Sequence, residues 1–334
     1  MKKFISLFLA SGMTLSLLAG CSSQPTAEAE RIPVRLNEVV HSVFYAPQYV
    51  AQELGFFEEE GLDVTVAIGN GADKSMTALL SDSADIALLG TEAGLYVYNE
   101  GKEDYPKAFL QLTQRAGNFL VSRVDEPDFK WENLKGKSVI GGRLGGMPEM
   151  VLEYVLKENG LKLNEDVEVI NNIDFSSTAG AFTGNVGDYT VEFEPVATTL
   201  ESSGSGFIVA SLGEASGYVP YTVYMARDAF MDEHPDVIEA FTRAIYKGQV
   251  WVKEHSSEEI AKAISPQFPD SDIATLTTIV ERYKAQDTWK EDPVFSEEGF
   301  NLIQDIMEEG GQLTARVPFA DLVRTDFAEK VMKK

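Results

Sequence analysis

The sequence predicts an α/β fold of two similar lobes, each a mostly parallel sheet flanked by helices, joined by two crossover strands that form a hinge. Three observations predict it. A chain of 334 residues is longer than one hydrophobic core usually organises. Residues 34–66 read as strand, aromatic loop, helix and strand, which is a βαβ unit. Residues 139–170 repeat that order with nearly the same span, Val34 and Val64 being 30 positions apart and Val139 and Val167 28 apart.

The chain opens on Lys2 and Lys3 followed by an apolar stretch over residues 4–18, too short to span a bilayer comfortably, which is a signal-peptide pattern. It ends in Leu18-Ala19-Gly20-Cys21, which resembles the bacterial lipobox, where the cysteine is lipidated and becomes the mature N-terminus. Residues 1–20 are therefore expected to be removed. Residues 21–30 read as a polar tether that anchors an extracytoplasmic body to the cell membrane through lipidated Cys21. Cys21 is the only cysteine, so no intramolecular disulfide can form and the body relies on its core.

In the first βαβ unit, residues 34–40 form a buried strand, 41–45 a tight loop, 46–54 a helix and 62–68 a second strand. In a parallel sheet that loop lies at the strand's carboxyl end, where the next helix offers unpaired N–H groups. His41, Ser42, Phe44 and Tyr45 are thus expected where open α/β sheets bind ligands, and Asn37 is an amide near the same loop mouth. Gly69, Asn70 and Gly71 turn the chain into a helix over 74–80, with Asn70 or Asp73 as N-cap. A short strand over 84–90 follows, then Thr91, Glu92 and a helix to Tyr98. Residues 107–113 and 119–123 read as strands around a turn.

The second unit comprises a strand over 138–142, a glycine-rich loop over 141–148, a helix over 149–158 and a strand over 167–170. Its later piece, residues 187–190 with Glu192, Phe193, Glu194 and Pro195, parallels residues 84–87 with Glu92. Strands over 207–212 and 218–226 follow, then helices over 237–254, 257–264, 271–285, 296–309 and 319–332. Phe119 and Tyr221 flank the second unit, so residues 31–118 and 222–334 are assigned to lobe 1 and residues 119–221 to lobe 2.

With 28 basic and 53 acidic residues the formal charge is −25, which argues against nucleic-acid binding, because no basic patch is available to neutralise phosphates. The loop Gly141-Gly142-Arg143-Leu144-Gly145-Gly146-Met147 can bring backbone N–H groups to a ligand or simply make a tight turn. It is neither a P-loop nor a dinucleotide fingerprint, which excludes nucleotide hydrolysis from the expectations. The three histidines, His41, His234 and His255, lack metal-ligand spacing, so neither a metal nor a cofactor is expected. No nucleophile elbow, His-Glu-x-x-His or Ser-x-x-Lys pattern occurs. Aromatic residues near loop mouths, Phe44, Tyr45, Phe119, Phe193 and Tyr221, can sandwich a flat heterocycle, or can be core residues of the hinge. Glu192 and Glu194 can accept hydrogen bonds from such a ring or cap a helix behind Pro195.

Residues 44–51, FYAPQYVA, residues 55–64, GFFEEEGLDV, the Ala84-Asp85-Ile86 turn and Phe193-Glu194-Pro195 resemble the solute-binding proteins of ABC importers. The branch they resemble handles thiamine-pyrimidine precursors, aliphatic sulfonates, nitrate and related small solutes, and the resemblance covers nearly all of residues 31–334. It implies a periplasmic-binding-protein type II fold that closes over a solute and delivers it, as a monomer, to an ABC permease and its ATPase. Pyrimidine-type members use aromatic stacking plus a carboxylate, for which Tyr45, Phe193, Asp73, Glu92, Glu192 and Glu194 stand available. Phe193 stands where many members carry tryptophan. Anion-type members present cationic or hydroxyl groups, and here Arg143 is the only basic residue in a first-turn loop. The expectation is therefore a binder of a small planar heteroaromatic solute, with a sulfonate, nitrate or riboflavin-type solute as the alternative. A pyrimidine-synthesising enzyme and a sensor feeding a signalling partner are the alternatives of other classes.

Overall fold

The structure, a computed structural model, describes residues 30–333. The expected signal peptide, Cys21 and all of the tether except Glu30 lie outside the described residues.

Strand β1 (Ile32–Glu38) buries Val34 and Leu36; after it comes Ser42, whose hydroxyl accepts the Phe44 N–H at 3.2 Å and so caps a single 3-10 turn, Val43–Tyr45. That turn feeds α1 (Ala46–Glu53), which carries Pro47 in its first turn, where no intrahelical donor is lost. A short α2 (Phe56–Glu59) leads to β2 (Leu62–Ile68), then α3 (Ala72–Leu80), β3 (Ile86–Leu89), α4 (Thr91–Asn99) and β4 (Pro106–Thr113). The chain then builds a second set: β5 (Asn118–Ser122), β6 (Lys137–Ile140), α5 (Met147–Glu158), β7 (Val167–Ile170), α6 (Thr178–Thr183), β8 (Tyr189–Phe193), α7 (Val196–Ser202), β9 (Phe207–Ser211) and α8 (Leu212–Ser216). It returns through β10 (Thr222–Arg227).

Two five-stranded sheets result, in the orders β2-β1-β3-β10-β4 and β7-β6-β8-β5-β9. In sheet one β1 runs parallel to β2 and β3, with Ile32 opposite Leu62 and Glu38 opposite Ile68, while β10 is antiparallel to β3 and β4. In sheet two β6 runs parallel to β7 and β8, while β5 is antiparallel to β8 and β9. Each sheet therefore has one antiparallel strand, in the fourth position, and that strand comes from the other side of a crossover: β5 follows β4 of sheet one, and β10 follows β9 of sheet two. These are the two crossover connections expected of this α/β architecture.

The C-terminal helices are α9 (Asp228–Glu233), α10 (Pro235–Glu254), α11 (Ser257–Ile264), α12 (Ile273–Ala285), α13 (Glu297–Glu309), α14 (Phe319–Leu322) and α15 (Asp326–Met332). α10 packs directly on α1, and a Cβ at Gly248 would lie 2.2 Å from the Pro47 carbonyl oxygen. α11 starts in a capping box made by Ser256 and Glu259.

Two expected elements differ. The strand expected over 218–226 starts at Thr222, because residues 217–221 carry the crossover and the Tyr221 N–H donates to Thr113 O at 3.2 Å. The single helix expected over 319–332 is split. Val323 bridges to Ala108 and the Arg324 N–H donates to Ala108 O at 2.8 Å, so the edge of β4 takes backbone groups a continuous helix would use itself.

Candidate ligand-binding site

The carboxyl ends of both sheets face one cavity of about 550 Å³, the volume of a small-molecule site. The sheet-one wall comprises Val39 and Val40 just past β1, Tyr45 closing the 3-10 turn, Asn70 to Asp73 entering α3, Met76, and Gly90, Glu92, Ala93 and Tyr96 at the start of α4. Gly71 has φ +144, a region L side chains rarely adopt, and a Cβ there would lie 2.7 Å from Asp73 Oδ1. The sheet-two wall comprises residues 143–148, Asp174, Phe175 and Phe193, with Tyr221 from the crossover between them.

Glu92 is the most unusual wall residue. It is 2% exposed, its Oε2 has no protein partner, and burial pushes its carboxyl up to about 7 against the opposing pull of its own and the Met147 backbone N–H. Its side chain folds over Gly90, where a Cβ would stand 2.0 Å from Oε2, so position 90 must stay bare for Glu92 to lie as it does. The Tyr221 hydroxyl and both amide atoms of Asn118 likewise have no protein partner. Buried polar atoms without partners cost stability and are what a ligand of matching donors and acceptors would satisfy.

The aromatic wall is braced from behind. Phe193 lies 5.4 Å from Phe175 and 6.1 Å from Tyr221, ring centre to ring centre. Fully buried Phe44 meets Tyr221 edge-on at 5.6 Å and Phe193 at 5.4 Å, and Gly117 packs against its ring.

Contacts cross the mouth between the two walls. Arg143 Nη1 lies 2.6 Å from Asp73 Oδ2, which holds the Asp73 carboxyl below its usual range, although burial opposes this most strongly. The Tyr96 hydroxyl donates to Gly145 O at 3.0 Å. On the sheet-two side, buried Glu149 accepts the Gly145 N–H at 3.1 Å and the Asn171 amide at 3.3 Å, which fixes the glycine loop.

Of the residues singled out from sequence, Tyr45, Gly71, Asp73 and Glu92 are brought to the sheet-one wall, and Arg143, Gly145, Gly146, Met147, Phe193 and Tyr221 face them. Others are placed elsewhere. His41 turns away from the cavity: its Nδ1 is 2.8 Å from Glu38 Oε1, its Nε2 2.9 Å from Gln267 O, and its ring stacks on Phe268. Phe44 is the brace just described, and Phe119 packs on Tyr283 at 5.8 Å. Asn37 sits beneath Gly69 next to Ser75, and Thr91 is buried in the first turn of α4. Glu192 accepts from the Thr178 and Thr190 hydroxyls at 3.0 and 2.7 Å. Glu194 accepts the Thr198 N–H and hydroxyl, both at 2.9 Å, and the Arg282 guanidinium at 2.9 Å. Both carboxylates are thus spent inside the fold rather than offered to the cavity. Sequence reasoning missed Gly90, Tyr96, Asp174 and Phe175. Gly90 and Tyr96 flank Glu92 on the same strand-to-helix passage, a signal that was available; Asp174 and Phe175 open a single 3-10 turn, Phe175–Ser177, too short to carry a periodic pattern.

A family model described as NMT1/THI5 like matches residues 43–259. The chain is 46% identical over 314 residues to "Putative binding protein YtlA" of Bacillus subtilis, which covers 94% of this chain and 93% of that protein. It is 25% identical over 342 residues to the formylaminopyrimidine-binding protein of Halalkalibacterium halodurans, covering 91% of this chain and 99% of that one. Its fold is similar to that of the alkanesulfonate-binding protein SsuA from Xanthomonas axonopodis pv. citri bound to MOPS, with a TM-score of 0.71, 17% identity, and coverage of 89% of this chain and 99% of that one.

Proposed function

The chain belongs to the NMT1/THI5-like family of solute-binding proteins, and from that premise we propose that it captures a small planar heteroaromatic solute of the aminopyrimidine type and delivers it to an ABC permease. The observation that carries the solute class is Glu92, a buried carboxylate with an unpartnered oxygen beside the hydroxyl-bearing ring of Tyr221 in an aromatic-walled cavity. An amino group next to a ring nitrogen presents a donor and an acceptor in one plane, which suits the C=O and O–H of a protonated Glu92 carboxyl, and a pyrimidinium presents two donors to the carboxylate form. Phe193, Phe175 and Tyr221 supply apolar and π surface for a ring. Similarity to a formylaminopyrimidine-binding protein supports the same chemistry. The molecule acts as a binder rather than a catalyst, closing over its solute, and it works outside the cytoplasm on a lipid anchor at Cys21. Among the described residues no helix is long and apolar enough to cross a membrane.

Thermal unfolding and calorimetric titration with aminopyrimidines, flavins, alkanesulfonates and nitrate test the solute class. An aminopyrimidine at a hundredfold excess over its Kd is expected to stabilise the protein by about 2.7 kcal/mol. Stabilisation by an anion alone, or by no heteroaromatic compound, would overturn the reading. Mass measurement of the membrane-extracted protein checks the lipid on Cys21.

A further inference from the structure

Anionic solutes are commonly held in α/β sites by a guanidinium group and by the N-terminus of a helix. The sheet-two wall has both: Arg143, the only basic side chain lining the cavity among the described residues, and the first turn of the 12-residue α5, whose N-cap Gly146 brings no side-chain acceptor. Each already faces an acid from the opposite wall. Asp73 Oδ2 holds Arg143 Nη1 at 2.6 Å across the mouth, and 98%-buried Glu92 sits within reach of the Met147 N–H that opens α5 while its Oε2 remains without a protein partner.

We propose that Asp73 and Glu92 are specificity-determining residues: Asp73 is the resident counter-anion of Arg143, the group that would otherwise hold a sulfonate or nitrate, and Glu92 places a second acid at the same cavity, opposite the start of α5. An anionic solute would have to displace Asp73 from Arg143 and would still meet the carboxylates of Glu92, Glu100 and Asp174 around the same cavity. A neutral or cationic solute meets no such opposition and gains from Glu92. This inference rests on the solute-binding reading above and adds to it a reason for rejecting the anions that the same fold accommodates elsewhere.

Calorimetric titration of the full-length mature protein with ethanesulfonate, with 4-amino-2-methylpyrimidine in parallel, tests it. Wild type is expected to show no ethanesulfonate binding at millimolar concentration. Asp73→Asn, a nearly isosteric change at a half-exposed position, is expected to gain about tenfold or more in ethanesulfonate affinity, equivalent to about 1.4 kcal/mol. The gain should vanish in Asp73→Asn/Arg143→Ala, and Arg143→Ala alone should leave ethanesulfonate binding as weak as in wild type. Should Asp73→Asn fail to fold, Glu92→Gln offers the second measurement, with a smaller gain in the same direction. Wild type binding ethanesulfonate as tightly as Asp73→Asn, no gain in either variant, or a gain that survives removal of Arg143 would overturn the inference. Failure of the pyrimidine arm with anion rejection intact would instead count against the proposed solute class.

Discussion

Glu92 is held at a cost to the solute-free protein. Its folded carboxyl titrates near 7, whereas an unfolded glutamate titrates near about 4.3, so folding favours the neutral form. Stability from this group is complete below about pH 4.3 and is lost as pH rises through 7. Glu92→Gln should therefore raise the melting temperature of the solute-free protein at pH 8 and change it little at pH 4. The same variant should lose about 10- to 100-fold in affinity for an aminopyrimidine, a charge-assisted bond being worth about 1.5–3 kcal/mol. His41 shows the opposite sign. Its pKa is raised chiefly by its hydrogen bond to buried Glu38, so its contribution to stability is present below about pH 6.5 and is lost as pH rises through its folded value. His41→Gln should destabilise the protein by about 1–3 kcal/mol at pH 6, and less at pH 9, in urea unfolding, with solute affinity unchanged. Sequence alone pointed His41 at the cavity because its loop follows a strand. What redirected it is Glu38, a buried carboxylate that also takes Gln48 at 2.7 Å and the Tyr49 hydroxyl at 3.0 Å, a network whose need for partners no local pattern reveals.

At the scale of elements, what could be read was local. β2 and β7 occupy the expected spans because each alternates apolar with polar or exposed positions between turn residues, and α11 because Ser256 and Glu259 mark its start. What could not be read was tertiary: the late start of β10 and the break between α14 and α15 are both imposed by β4, far away in sequence. The wall residues followed the same division. Asp73 and Glu92 stand at helix starts after strands and were legible, whereas the burial of Glu192 and Glu194 among hydroxyls and Arg282 depends on α6 and α12. Two helix contacts give further expectations. Gly248→Ala would drive a methyl into the Pro47 carbonyl and separate α10 from α1, costing about 1–3 kcal/mol in denaturant unfolding. Gly90→Ala would push the Glu92 carboxylate out of place at the start of α4, and is expected to reduce aminopyrimidine affinity at least as much as Glu92→Gln.

Across the whole molecule, α12 fastens the side away from the mouth. Arg282 reaches Glu194 at 2.9 Å and Glu201 at 2.8 Å, and the Tyr283 hydroxyl donates to Gly117 O at 2.8 Å in the first crossover. Truncating Arg282 to Ala would strip a buried carboxylate of its cation, with an expected loss of about 3–5 kcal/mol by chemical denaturation. The exchange of β5 and β10 between the sheets has a consequence for the order in which the chain is made. When β1 to β4 have left the ribosome, β3 and β4 still lack the strand that lies between them, and it arrives only with residues 222–227, after the whole of sheet two. Sheet one therefore cannot close during synthesis of the first half, and its pairing waits on a contact between segments more than a hundred residues apart. A nascent chain halted at residue 211 is expected to be cut readily by protease throughout residues 32–113, whereas one extended through the C-terminal helices resists, so this topology leaves the first-made sheet the last to be completed.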